Sequence, residues 1–119
     1  MENDAPPGLG QTLTAEAVGS FFLFAAVLGS GVMAENLADG NVALALLANT
    51  VATGAILYVL IAMLGPISGA HFNPAVTFAF WLRRAIDAKT SALFVAAQVA
   101  GGAIGAWTVH LMFDLPILQ

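Results

Sequence analysis

Three stretches of this chain are apolar for long enough to cross a lipid bilayer: residues 13–33, 42–64 and 91–113. A spanning helix needs about 20 apolar residues. Three such helices and their connections nearly use up 119 residues. The first stretch contains one carboxylate, Glu16, and the second contains no charge. Only 8% of the chain is charged, against about a quarter in a soluble domain, so an ordinary soluble fold is excluded. A hydrophobic share of 60% excludes a disordered chain. The absence of cysteine excludes a disulfide-stapled module. The net charge of −4 is thinly spread and no basic patch exists, so the expected partner is the lipid bilayer and not nucleic acid.

The connections carry more information than the spans. Residues 1–12 hold Pro6, Pro7, Gly8 and Gly10 and read as a disordered lead. This lead has no Lys or Arg, unlike a signal peptide, so the apolar stretch behind it is expected to stay in the protein. Residues 34–41 read as a loop. Residues 65–84 read as a re-entrant loop and half-helix. The run from Gly65 to Pro74 contains two further residues, Pro66 and Gly69, that oppose a continuous helix. The nine residues from Pro74 to Leu82 are apolar but reach only about 13 Å, less than half of a ~30 Å hydrocarbon core. Asn73 is a good N-cap and Pro74 suits the first helical position, where its missing N–H is no loss.

Charge sets the expected orientation. Arg83, Arg84 and Lys89 are the only basic residues and share one loop. The positive-inside rule puts that loop in the cytoplasm of a cell inner (plasma) membrane, with the N-terminus inside and the C-terminus outside. Asn73 then sits near the bilayer centre beside the positive end of the half-helix dipole. Such an end repels cations. The Asn73 side-chain N–H₂ can donate to the oxygen of a neutral solute. Gly69 to Phe72, read as extended, would offer carbonyl acceptors. Irregular backbone at that depth is tolerated only in protein or along a wet cavity.

The segment Ser68-Gly69-Ala70-His71-Phe72-Asn73-Pro74-Ala75-Val76-Thr77 resembles the signature of the aquaporin and glycerol-facilitator (major intrinsic protein) family. Ala15-Glu16-Ala17-Val18-Gly19-Ser20-Phe21 is similar to that family's first helix, and Ala97-Gln98-Val99-Ala100-Gly101-Gly102 to its third. The resemblance implies an all-α membrane fold of three transmembrane helices plus one re-entrant half-helix, the first inverted repeat of a two-repeat channel. It implies that Asn73, Pro74 and Ala75, with the carbonyls of Gly69, Ala70 and His71, line a pore. It implies that Glu16 and Gln98 anchor the re-entrant loop. It also implies that Thr53 stands at a selectivity filter, where water-selective members usually carry an aromatic ring. Thr points to a wider filter, for glycerol or metalloid hydroxides beside water.

Only one repeat is present. The resemblance therefore implies a missing second half, as a separate chain or lost by truncation, and a tetramer only if the channel is completed. Antiparallel pairing of two copies is disfavoured, because all three cations favour one orientation. The alternative is a non-conducting truncated fragment or a membrane interaction subunit. No nucleophile–base pair, metal-ligand cluster or phosphate loop is visible, so no enzyme, metal or cofactor is expected. Trp81, Trp107 and His110 read as interfacial residues. Gly101-x-x-x-Gly105 reads either as an association motif or as close packing within the fold.

Overall fold

A computed structural model describes residues 5–115. The chain forms four helices, α1 (Leu9–Leu37), α2 (Val42–Ser68), α3 (Pro74–Leu82) and α4 (Ala88–Met112). No strand occurs among the described residues. Three of the helices, α1, α2 and α4, are long and apolar enough to cross a membrane. They carry large apolar side chains on all sides, including the exposed Leu28, Leu46, Val51, Val99 and Ile104. A helix apolar all round has no water-facing side and belongs in lipid or inside a larger protein. The fold is therefore that of a multi-pass membrane protein.

Local chemistry starts each helix. The carboxamide oxygen of Asn41 accepts the Leu44 N–H at 3.1 Å, and the Asp87 carboxylate accepts the Thr90 N–H at 2.9 Å. At α1 the Gln11 side chain turns back to accept the Gly8 N–H at 2.8 Å. Helix α1 consequently begins at Leu9, inside the stretch 1–12 that reads as a disordered lead; residues 1–4 of that stretch lie outside the described residues. The region from Gly65 needs a larger correction. Helix α2 continues through Gly65 and Pro66 to Ser68. Pro66 withholds one N–H from the Ala62 carbonyl but has a helical φ, and the remaining turn closes through Gly69 N–H to Gly65 O at 2.8 Å. Gly69 ends the helix at φ 87°, a left-handed conformation that glycine adopts without strain. The non-helical stretch is thus only residues 69–73.

Helix α1 is the centre of the packing, with α2 on one side, α4 on the other, and α3 against α4. The contact with α4 depends on Gly101 and Gly105. A Cβ on Gly101 would fall on the carbonyl oxygen of Ala17, and one on Gly105 on that of Phe21. The Gly-x-x-x-Gly stripe therefore serves close packing inside this chain. Helix α2 is attached more lightly, and Leu60 is its one buried residue. Its polar attachments to α1 are Ser68, whose hydroxyl donates to Glu16 at 2.6 Å, and Asn49, whose side chain donates to Val27 O at 2.9 Å and Ser30 Oγ at 3.0 Å.

Candidate functional site

The site forms where the 69–73 loop meets α1 and α4. At its centre the Glu16 carboxyl is fully buried and accepts four hydrogen bonds. Oε1 accepts from the Phe72 N–H and from Gln98 Nε2, both at 2.8 Å. Oε2 accepts from the Ser68 hydroxyl at 2.6 Å and the His71 N–H at 3.1 Å. A carboxylate has acceptors only, and all four partners are donors, so the group is satisfied without water. A buried carboxylate without such partners would be strongly disfavoured.

These bonds dictate the path of the loop. The stretch from Gly69 to Phe72 is not simply extended: Ala70 and Phe72 stand at φ 55° and 54°. Left-handed geometry costs an L residue about 1–2 kcal/mol. It turns consecutive N–H groups inward, toward Glu16. None of the described residues donates to the carbonyls of Gly69, Ala70 and His71. The Phe72 ring is buried against Gly19, where a Cβ would collide with it. Gly19 lies three residues after Glu16 and so on the same face of α1.

Asn73 caps α3 as the sequence predicts. Its Oδ1 accepts the Ala75 N–H at 2.8 Å, and Pro74 occupies the first turn. With the oxygen used, the Asn73 side chain presents its N–H₂, which has no acceptor among the described residues. Asn73, Pro74 and Ala75 are all exposed in this chain. The depth follows from Gln98, which bonds Thr77 Oγ1 at 2.9 Å. Gln98 lies ten residues into α4, about 15 Å along it, so the N-terminal end of α3 stands near mid-helix. A groove of about 300 Å³ opens beside it, lined by Phe24, Phe72, Pro74, Gln98, Val99 and Gly102.

Thr77 escapes a reading based on residue chemistry alone. It is fully buried, and its hydroxyl joins Gln98 to His71 Nδ1 at 2.8 Å. The available signal is that it is the one hydroxyl in α3, a turn after the cap. The His71 ring stacks on Phe80 at 4.7 Å between centroids and also meets Phe94. Ser68 is likewise joined to the network, donating to Glu16 and accepting the Ala70 N–H at 3.2 Å.

Thr53 is separate from this cluster. It is half-buried on α2, and its hydroxyl has no hydrogen-bond partner among the described residues, unlike that of Thr108, which bonds back to Ile104 O at 2.7 Å. Trp81 and Trp107 are exposed, whereas His110 is half-buried with an unpartnered Nδ1. No metal-holding cluster occurs among the described residues.

Three spanning helices and a nine-residue helix that starts at mid-depth, held by a buried carboxylate, define an integral membrane protein with a re-entrant segment. The chain belongs to the Major intrinsic protein family, whose pattern it matches over residues 7–116. It is 54% identical over 111 residues to an aquaglyceroporin, AqpS, of Rhizobium meliloti (strain 1021), a match covering 93% of this chain and 47% of that protein. It is 38% identical over 103 residues to nodulin-26 of Glycine max and 38% over 105 residues to a probable NIP-type aquaporin of Nicotiana alata. Those two matches cover 87% and 88% of this chain, and 37% of each relative. The chain thus spans less than half the length of these relatives.

Proposed function

We propose that this chain is the first half of a membrane channel for water and small neutral solutes, completed by a second half that carries its own half-helix. The observation that carries the reading is Asn73: exposed, its oxygen committed to capping α3, and its N–H₂ left to meet a solute at mid-depth. The positive end of α3 stands beside it and disfavours cations. The unpaired carbonyls of Gly69, Ala70 and His71 supply acceptors, and Glu16 and Gln98 hold the loop that presents them. Thr53 stands at the narrow point with a free hydroxyl, which suits hydroxyl-bearing solutes such as glycerol or metalloid hydroxides. The single basic loop faces the cytoplasm of the plasma membrane. A site between two inverted halves explains why one half exposes its polar groups.

The test is solute-driven swelling of proteoliposomes. The chain is reconstituted alone and with the C-terminal portion of the Rhizobium meliloti aquaglyceroporin that it does not match. Water or glycerol permeability well above that of lipid, seen only in the combined preparation, is the expected result. Permeability at the lipid level in both overturns the channel reading and leaves a non-conducting fragment or interaction subunit.

A further inference from the structure

We infer that Asn49 is a second specificity-determining residue of the channel, presenting a fixed hydrogen-bond acceptor one helical turn from Thr53 on the outer side; the inference rests on the channel reading above. Asn49 lies within a transmembrane helix, where a polar side chain commonly ties two helices together. The structure shows that tie, but it also shows what the tie leaves over. Val27 O is a carbonyl and can only accept, so the group facing it must be the carboxamide N–H₂. The second N–H goes to Ser30 Oγ, which in turn donates to Val27 O at 3.2 Å. Both donors of Asn49 are therefore spent on α1. Its Oδ1 accepts no hydrogen bond among the described residues.

The side chain cannot rotate freely to hide that oxygen, because two hydrogen bonds fix the plane of the amide. A Cβ on Gly31 would stand 3.2 Å from Asn49 Nδ2, so the absence of a side chain there is part of the fit. Asn49 and Thr53 are four residues apart, which puts them on one face of α2 at roughly 6 Å of rise. Both are half-buried, and Asn49 is bonded to α1. Together they present a rigid carboxamide oxygen and a rotatable hydroxyl, each without a hydrogen-bond partner among the described residues. A solute with two or more hydroxyl groups can donate to both at once. A single water gains less from the pair, because only one site is used at a time. The pair therefore favours polyhydroxylated neutral solutes over water.

The experiment is the ratio of glycerol to water permeability in the combined proteoliposomes, for the unsubstituted chain, Asn49→Leu and Ser30→Ala. Loss of one acceptor is expected to lower the ratio about threefold or more in Asn49→Leu. Ser30→Ala loosens the tie but keeps the oxygen, and should leave the ratio within about 1.5-fold while weakening the helix pair. If Asn49→Leu does not accumulate in the membrane, Asn49→Ala, which also lacks the acceptor, is compared in its place. An unchanged ratio in the Asn49 variant, or an equal drop in Ser30→Ala, overturns the inference while the channel stands. Lipid-level permeability in the unsubstituted preparation overturns the channel reading and this inference with it.

Discussion

Replacing Glu16 by Gln tests the core of the site with almost no change of volume. Gln retains one acceptor oxygen and replaces the other by an N–H₂. The amide settles best with its N–H₂ on the Oε2 side, because the Ser68 hydroxyl there can reverse and accept. The His71 N–H cannot reverse, and it is left facing a donor. An orphaned buried N–H costs about 1–3 kcal/mol. The Phe72 and Gln98 bonds on the other oxygen fall from charge-assisted to neutral, a loss of about 1 kcal/mol each. The total is about 3–5 kcal/mol, enough to release the left-handed turn at Ala70 and Phe72. Hydrogen exchange in detergent micelles reads this directly, as lost protection of the His71 and Phe72 amides. Unfolding in mixed micelles with SDS gives the energy. Protection that is unchanged, with a stability loss below about 1 kcal/mol, would refute the idea that this carboxylate holds the loop.

Four further outcomes follow from the same geometry. Gly101→Val should separate α1 from α4 and cost about 2–3 kcal/mol in the same unfolding assay, whereas Gly54→Ala, with open space around it, should be close to neutral. Thr77→Val removes the hydroxyl that accepts from Gln98 and pairs with His71 Nδ1 and should cost about 2 kcal/mol, with altered ¹⁵N shifts at the His71 ring. Asp87 has its pKa lowered from 3.8, first by the Thr90 hydroxyl and then by the Thr90 N–H. Its folded pKa is depressed, so the contribution of this cap is present above pH 3.8 and is lost as pH falls through the folded value; an NMR titration of the Thr90 amide should show that step, and Asp87→Asn should abolish it. Arg84→Cys, in a chain without other cysteines, should react with impermeant reagent from the cytoplasmic face only; comparable labelling from both faces would show dual insertion and reopen antiparallel self-pairing.

The candidate site was legible in unequal parts. Asn73 and Pro74 could be read as cap and first turn because capping is local chemistry, confined to a few consecutive residues, and α3 runs from Pro74 to Leu82 as expected. The end of α2 was misread, because Gly65 and Pro66 are poor helix formers in isolation. The helix continues past them because one lost N–H affects a single carbonyl, while Gly69 supplies the stop. Gln98 and Glu16 carry no local sign that they meet, being 82 residues apart.

The sequence by itself determined that the chain lives in lipid, how many times it can cross, and where its half-length helix begins. Those properties depend on apolar run length, on ten sparse charges and on caps, all of which act within a few residues. Only the tertiary structure decided which donors Glu16 satisfies, that Thr77 links Gln98 to His71, that Gly19 makes room for Phe72, and that Asn49 spends both its donors on α1. Each of these joins segments distant in the chain. What fixes them is the cost of an unpaired polar group or an overlapping side chain once water is excluded, and that cost arises only when the helices are side by side.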